Sequence, residues 1–232
     1  VFMAPKSKAI RYALTTFERL RAHHADADCE LVPRDPFQLL VAVVLSAQTT
    51  DAAVNRVLPD LFATMPDAAS FATAQPEQVA EKIKTIGMYR QKAKHLVGLA
   101  KQIMEHHQGQ VPRQFDALVQ LPGVGRKTAN VVMGVAFGIP SGVVVDTHVQ
   151  RLSQRLGWTK QQQPESIEKE LSAVFPKEVW IILSHVLIFH GRRVCTARAP
   201  ACERCVVSDV CPSAGKAENV GRKPSRMRSL RE

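Results

Sequence analysis

Apolar residues recur at helical rather than alternating spacing through most of this chain, and that pattern excludes most fold classes at once. Residues 36 to 47, with the run from Leu39 to Leu45, are apolar nearly all round, as expected of a helix at the centre of a bundle. Met88 to His107 reads as one long basic amphipathic helix that puts Leu96, Val97, Leu99 and Ile103 on its buried side. Good start signals precede further helices: Asp35-Pro36, Thr50-Asp51, Pro76-Glu77 and Pro164-Glu165 each offer an N-cap or a first-turn proline. Only Val143 to Val145 looks strand-like, and three residues without a partner strand are better read as an extended connector. Aromatic residues make up only 6% against abundant alanine, leucine and valine, so the expected fold is all-α.

With 232 residues, 45% of them hydrophobic, the chain suits one large or two small domains with a proper core. Lysine and arginine number 31 against 21 acidic residues, a formal charge of +10, which points to a polyanion: nucleic acid or an anionic membrane. The longest apolar stretch, Ala129 to Val145, argues against a membrane, because Asn130, Gly134, Gly138, Pro140, Ser141 and Gly142 interrupt it and 17 residues are short for a span. The opening VFMAPKSKAI has no secretory pattern, and Met3 is a candidate start. Of five cysteines, four crowd between Cys195 and Cys211 while Cys29 stands apart, unlike the even spread of a secreted disulfide framework. A reducing cytoplasm and a bound metal are expected. From Ser213 onward the chain is rich in Lys and Arg and poor in large apolar residues, so a flexible basic tail is expected at 213–232.

Three features carry chemistry. In Leu121-Pro-Gly-Val-Gly-Arg-Lys-Thr-Ala-Asn130, two glycines let the backbone turn tightly between one helix starting near Gln114 and another starting at Arg126. The second helix then points free amides outward, a cradle for a phosphate that reads no base. A plain helix-helix turn would look the same from Gly-x-Gly alone, but Pro122, Arg126 and Lys127 favour nucleic acid. The second feature pairs Lys127 with Asp146 of Val143-Val-Val-Asp-Thr-His148, nineteen residues on. A lysine beside a desolvated pocket can become an amine nucleophile, whereas an exposed one stays protonated or simply meets phosphate. Asp146 precedes a helix over Thr147 to Leu156 and would serve equally as an ordinary N-cap. The third is Cys195-x6-Cys202-x2-Cys205-x5-Cys211: four thiolates that can hold zinc or an iron-sulfur cluster, with gaps that suit paired zinc knuckles poorly. Arg198, with Arg192, Arg193 and Arg204 nearby, can meet phosphates there.

From Pro36 to Cys211 the sequence resembles the endonuclease III-like helix-hairpin-helix DNA glycosylases, through Leu45-Ser-Ala-Gln-Thr-Thr-Asp51, Ile86-Gly-Met-Tyr89, the hairpin, the Val-Asp-Thr-His motif, His190-Gly191 and the cysteine spacing. The resemblance implies two helical lobes with the active-site cleft between them: a six-helix barrel over residues 30–139 containing the hairpin, and an iron-sulfur lobe from residues 1–29 plus 140–212. It implies one 4Fe-4S cluster on Cys195, Cys202, Cys205 and Cys211, with Cys29 outside the set, and a monovalent cation on the carbonyls of Val119, Leu121 and Val124. Lys127 would attack the sugar with help from Asp146; Gly123, Val124, Gly125, Arg126, Thr128, His148 and Arg198 would bind DNA. Gln48 would fill the gap left by a flipped nucleotide, and Met88 would wedge beside the unpaired base, although leucine is expected at that position. Ser46, Asp51 and His148 are candidates for the base pocket, each with an equally plain capping or surface role. The implied activity is a bifunctional glycosylase and AP lyase acting as a monomer at the nucleoid, with no membrane partner. Its substrate would be duplex DNA carrying oxidised pyrimidines or abasic sites. Adenine-mismatch glycosylases of the superfamily keep the aspartate and lack the lysine, so a monofunctional mismatch enzyme is one alternative and a catalytically silent DNA-binding module another.

Overall fold

A computed structural model describes residues 5–33 and 35–221, and every regular element among them is a helix. No helix among these residues is long and apolar enough to cross a membrane. After α1 (Pro5–His23), the residues Cys29–Gly142 form one compact unit. The described residues up to Asp28 form a second unit with those from Val143 onward.

The Cys29–Gly142 unit is built round α2 (Pro36–Leu45). Asp35 starts it: its Oδ1 accepts the N–H groups of Phe37 and Gln38, both at 3.0 Å, while Pro36 takes the position whose N–H would be unbonded anyway. Leu39, Leu40, Val41, Ala42 and Leu45 are fully buried, which explains why this segment shows no polar face. Around it lie α3 (Asp51–Thr64), α4 (Ala68–Thr73), α5 (Pro76–Lys82), α6 (Tyr89–His107), α7 (Phe115–Gln120) and α8 (Arg126–Phe137). Thr50 caps α3, and Asp67 with Ser70 closes a capping box on α4. Leu61, Phe71, Val79, Ile83, Leu96, Leu99, Ile103, Leu118 and Val132 complete the core.

In the other unit α1 packs with α9 (Thr147–Arg155), α10 (Pro164–Val174) and α11 (Trp180–Arg193). Phe17 of α1 meets Phe175 edge to face at 5.6 Å, and the Trp158 indole donates to Thr16 Oγ1 at 3.1 Å. Val143–Val145 is an extended connector: the Val144 N–H is satisfied by Ser184 Oγ at 3.0 Å rather than by a neighbouring strand.

The expectation of a flexible tail from Ser213 is corrected for residues 213–221. Ser213 and Ala217 are buried, Ala217–Asn219 forms a 3-10 turn, and Val220 O accepts Arg155 Nε at 2.9 Å. A Cβ on Gly221 would sit 2.9 Å from Arg151 O, so the chain here lies directly on α9. Composition shows too few large apolar residues to predict packing, yet a buried guanidinium elsewhere in the chain needs this backbone carbonyl. Residues 222–232, the rest of the expected tail, and Met3 lie outside the described residues.

Candidate active site and metal centre

The hairpin between α7 and α8 is a tight turn closed by Val124 N–H to Leu121 O at 3.1 Å. Its two glycines do different work. Gly123 has φ +77°, and a Cβ there would lie 2.8–2.9 Å from the His95 side chain, so the turn needs both a left-handed residue and the absence of a side chain. Gly125 has φ −91° and open space where a Cβ would be; it is the N-cap of α8, and no side chain caps that end. The first amides of α8 therefore face outward with the positive end of the helix dipole, as an anion site requires. Arg126 lies over the Phe115 ring at 5.0 Å, Thr128 is half-buried, and Lys127 is exposed on the first turn.

Gln48 and Met88 belong to the same unit as the hairpin. Each adopts a positive φ, 57° and 56°, a region that disfavours any side chain by about 1–2 kcal/mol and that clusters at functional sites. Met88 is 55% exposed, a long apolar side chain presented to solvent rather than packed in the core. Ser46 turns its hydroxyl back onto Val43 O at 2.9 Å at the end of α2, and Asp51 occupies the first turn of α3.

Asp146, His148 and the cysteines lie in the other unit. Asp146 is the N-cap of α9: its Oδ1 accepts the N–H groups of His148 and Val149, both at 2.8 Å. Both bonds use one oxygen, so capping fixes the carboxylate and leaves Oδ2 outside the cap. His148 is half-buried and its pKa lies below the usual imidazole value, first because of burial and then because Arg151 and Arg192 oppose a further positive charge, while Asp146 pulls the other way. Arg151 Nη2 lies 3.2 Å from His148 Nδ1 and donates to the carbonyls of Gly191 at 3.0 Å and Cys195 at 3.1 Å. Gly191 is required here, since a Cβ would fall 2.7 Å from His148 Nδ1.

Arg151 and Arg155 are buried residues that sequence reasoning missed. Arg155 donates to Val220 O at 2.9 Å, Thr196 O at 2.7 Å, Ala197 O at 3.0 Å and Cys195 Sγ at 3.2 Å. One guanidinium thereby gathers the whole Cys195–Ala197 loop onto α9. The available signal was two arginines at i and i+4, three and seven residues after His148, on a helix short of other charges.

All four clustered cysteines line one recess, walled also by Leu152, Leu156, Val207 and His190. All four are free thiols, yet among the described residues no three His, Cys, Asp or Glu side chains converge closely enough to hold a single metal ion. Four cysteines around one largely apolar recess supply the thiolate set that an iron-sulfur cluster takes. Burial pushes the Cys205 and Cys211 thiols up, and the neighbouring cysteines add to it, so a metal's charge is what would hold these sulfurs as thiolates. His190 is buried and pushed down to about 3 by desolvation, with His24 and His23 adding to it; its Nε2 faces Cys205 Sγ at 3.4 Å and its Nδ1 meets His24 Nε2 at 2.9 Å.

Arg198 is exposed beside this recess. Arg193 pairs with Asp26 at 2.7 Å and lies over the Phe189 ring at 4.3 Å, while Arg204 lies 3.9 Å from Glu203. Cys29 packs on the α2–α8 core, in the other unit from the cluster cysteines.

Residues 41–177 match the family described as HhH-GPD superfamily base excision DNA repair protein, and residues 195–211 match the iron-sulfur binding domain of endonuclease III. Endonuclease III of Synechocystis is 46% identical over 91% of this chain and 95% of its own length. The chain belongs to the endonuclease III family. The endonuclease III of Bacillus subtilis is 45% identical, over 92% of this chain and 96% of its own. A solved structure of a trapped endonuclease III-DNA covalent intermediate superposes with a TM-score of 0.84 at 42% identity, covering 94% of this chain and 99% of that one. A thermostable thymine-DNA glycosylase shares the fold, with a TM-score of 0.78 at 24% identity over 93% of this chain and 100% of that one. As a member of the endonuclease III family the chain carries its iron-sulfur domain across Cys195, Cys202, Cys205 and Cys211.

Proposed function

We propose that this endonuclease III family chain is a bifunctional DNA glycosylase and AP lyase of base excision repair that removes oxidised pyrimidines from duplex DNA and then nicks the abasic site. One observation carries the reading. Lys127 stands exposed on the first turn of α8, directly after an uncapped hairpin, in a chain 42% identical to a protein captured covalently joined to DNA.

The hairpin amides and basic side chains hold phosphates, and the duplex is kinked so that the damaged nucleotide, already weakly paired, leaves the stack. Arg126, Thr128, His148 and Arg198 are the further DNA contacts, with Gln48 and Met88 entering the space vacated. The flipped nucleotide covers Lys127 and supplies the desolvation that its exposed position lacks. The unprotonated Lys127 amine attacks C1′ as the C1′–N bond to the base breaks; the leaving electron pair goes to the base, which takes up a proton. Asp146, held by its cap with Oδ2 outward, stabilises the positive charge developing on the sugar and accepts a proton from the attacking amine. The sugar ring then opens: the C1′–O4′ bond breaks, O4′ takes up a proton, and the protonated Schiff base so formed between C1′ and the lysine nitrogen acidifies the C2′ proton. Its removal expels the 3′ phosphate by β-elimination, and water then releases the enzyme. Cys195, Cys202, Cys205 and Cys211 would hold a 4Fe-4S cluster, which would cross-link the loop bearing Arg198. The place of action is the nucleoid.

Lesion-containing and abasic duplexes run on denaturing gels with and without alkali test the reading. The expected result is strand nicking without alkali and a borohydride-trapped adduct that Lys127→Gln abolishes. Asp146→Asn should bind DNA and keep its helix cap while losing most base excision. Base release without nicking would indicate a monofunctional enzyme, and binding without either a silent module.

A further inference from the structure

The two residues assigned to enter the duplex, Gln48 and Met88, sit on separate loops, each in a backbone conformation that a side chain resists. Thr49 N–H to Ser46 O at 3.0 Å closes the turn in which Gln48 is the third residue, a place that normally calls for glycine or asparagine when φ is positive. Met88 stands just before α6 without a capping side chain. Something other than local preference has to hold both.

Lys92, in the first turn of α6, touches both loops. Its backbone N–H donates to Met88 O at 3.0 Å. Its ammonium donates to Ala47 O at 2.7 Å and to Thr49 Oγ1 at 3.1 Å, on either side of Gln48, and to Leu45 O at 2.8 Å at the end of α2. The loops adjoin: a Cβ on Gly87, the residue before Met88, would come within 4.0 Å of Thr49 Oγ1. Lys92 is buried, and all three acceptors of its ammonium are neutral oxygens. A buried ammonium without a carboxylate is costly, and an apolar side chain of the same length would fill the space at less cost. What the charge supplies is three donors aimed at the negative end of α2 and at the Ala47 carbonyl and Thr49 hydroxyl on either side of Gln48.

We propose that Lys92 is a positioning residue that locks the Gln48 and Met88 loops together as one preformed wedge, so that base extrusion starts from loops already in their inserted shape. This rests on the reading that Gln48 and Met88 enter the duplex. Without the ammonium the Gln48 turn loses its tie to the start of α6, where Met88 stands, and binding must first recover the competent fraction of the population.

The test uses the full chain and a duplex with 2-aminopurine beside a tetrahydrofuran abasic analogue, whose fluorescence rises when the base unstacks. Lys92→Met should weaken lesion binding by about tenfold and lower the fluorescence rise, as expected if the competent loop population falls to roughly a tenth. In a Gln48→Ala/Met88→Ala background the same substitution should add nothing, because it acts through those two side chains. An equal loss in both backgrounds means a merely structural lysine and overturns the proposal, as does no loss in the wild-type background. Should Gln48→Ala/Met88→Ala itself leave the fluorescence rise unchanged, the insertion reading fails and the proposal with it. Thr49→Val removes one acceptor without disturbing the buried ammonium's other bonds, so it decides the matter if Lys92→Met does not fold: a two- to threefold loss, on the order of one weakened hydrogen bond, supports the proposal and none refutes it.

Discussion

Replacing each hairpin glycine with alanine should separate folding from binding at one turn. At Gly123 the added methyl meets two penalties: a positive φ of +77°, worth about 1–2 kcal/mol, and a Cβ placed 2.8–2.9 Å from the His95 side chain, an overpacking that costs about 1–3 kcal/mol. The nearest atoms include His95 Cβ, which is tied to α6 and cannot swing aside. A total of about 3 kcal/mol, at roughly 3 °C per kcal/mol for a chain of this size, lowers the melting temperature by about 10 °C. Gly125→Ala has an extended φ of −91° and no atom within 4 Å of the new Cβ, so it loses only the small N-cap preference, about 0.5 kcal/mol, or roughly 2 °C. That same open space is where a phosphate has to reach the first amides of α8. A methyl group there should weaken binding to an abasic-site duplex by about tenfold, the equivalent of one charge-assisted hydrogen bond. Circular-dichroism melts and fluorescence anisotropy at one fixed salt concentration read the two effects. The reasoning fails if Gly123→Ala melts within about 3 °C of wild type, well inside the penalty expected of the left-handed residue alone with its clash, or if Gly125→Ala binds DNA as wild type does.

Arg155→Leu should leave the carbonyls of Thr196, Ala197 and Val220 without a donor, at about 1–3 kcal/mol each, and loosen the cysteine loop. Iron assayed after dialysis against a chelator should fall well below wild type; equal retention would mean the loop holds without that guanidinium. For His148 the folded pKa is below the unfolded value of 6.5, so as pH falls the unfolded chain takes up the proton first and stability is lost from about pH 6.5 downward. Melting temperatures at pH 7.5 and 5.5 should drop more for wild type than for His148→Gln, and parallel drops would exclude His148 as the source.

What could be read locally was read well. The all-apolar α2, the long amphipathic helix before Gly109, the turn at Leu121–Gly125 and the four-cysteine spacing are each set by residues within one or two helical turns of one another. At Asp146 the structure shows the N-cap, and that cap uses only Oδ1. Met88 shows the opposite, because whether a methionine is core or surface depends on neighbours far along the chain, and only its 55% exposure answers that. Arg193 pairs with Asp26, 167 residues away in sequence, a partner that no local pattern announces.

Sequence alone determined the helical class, the hairpin with its lysine, and the metal-binding spacing, since periodicity, turn chemistry and ligand intervals are short-range properties. Only the tertiary structure showed that Lys92 reaches back 43 and 45 residues to the loop of Gln48, that Arg155 reaches forward 65 residues to Val220, and that His24 meets His190 across 166. Those bonds exist because buried polar groups must find partners wherever the packed chain brings one within about 3 Å, and a linear pattern carries no record of which distant carbonyl that will be.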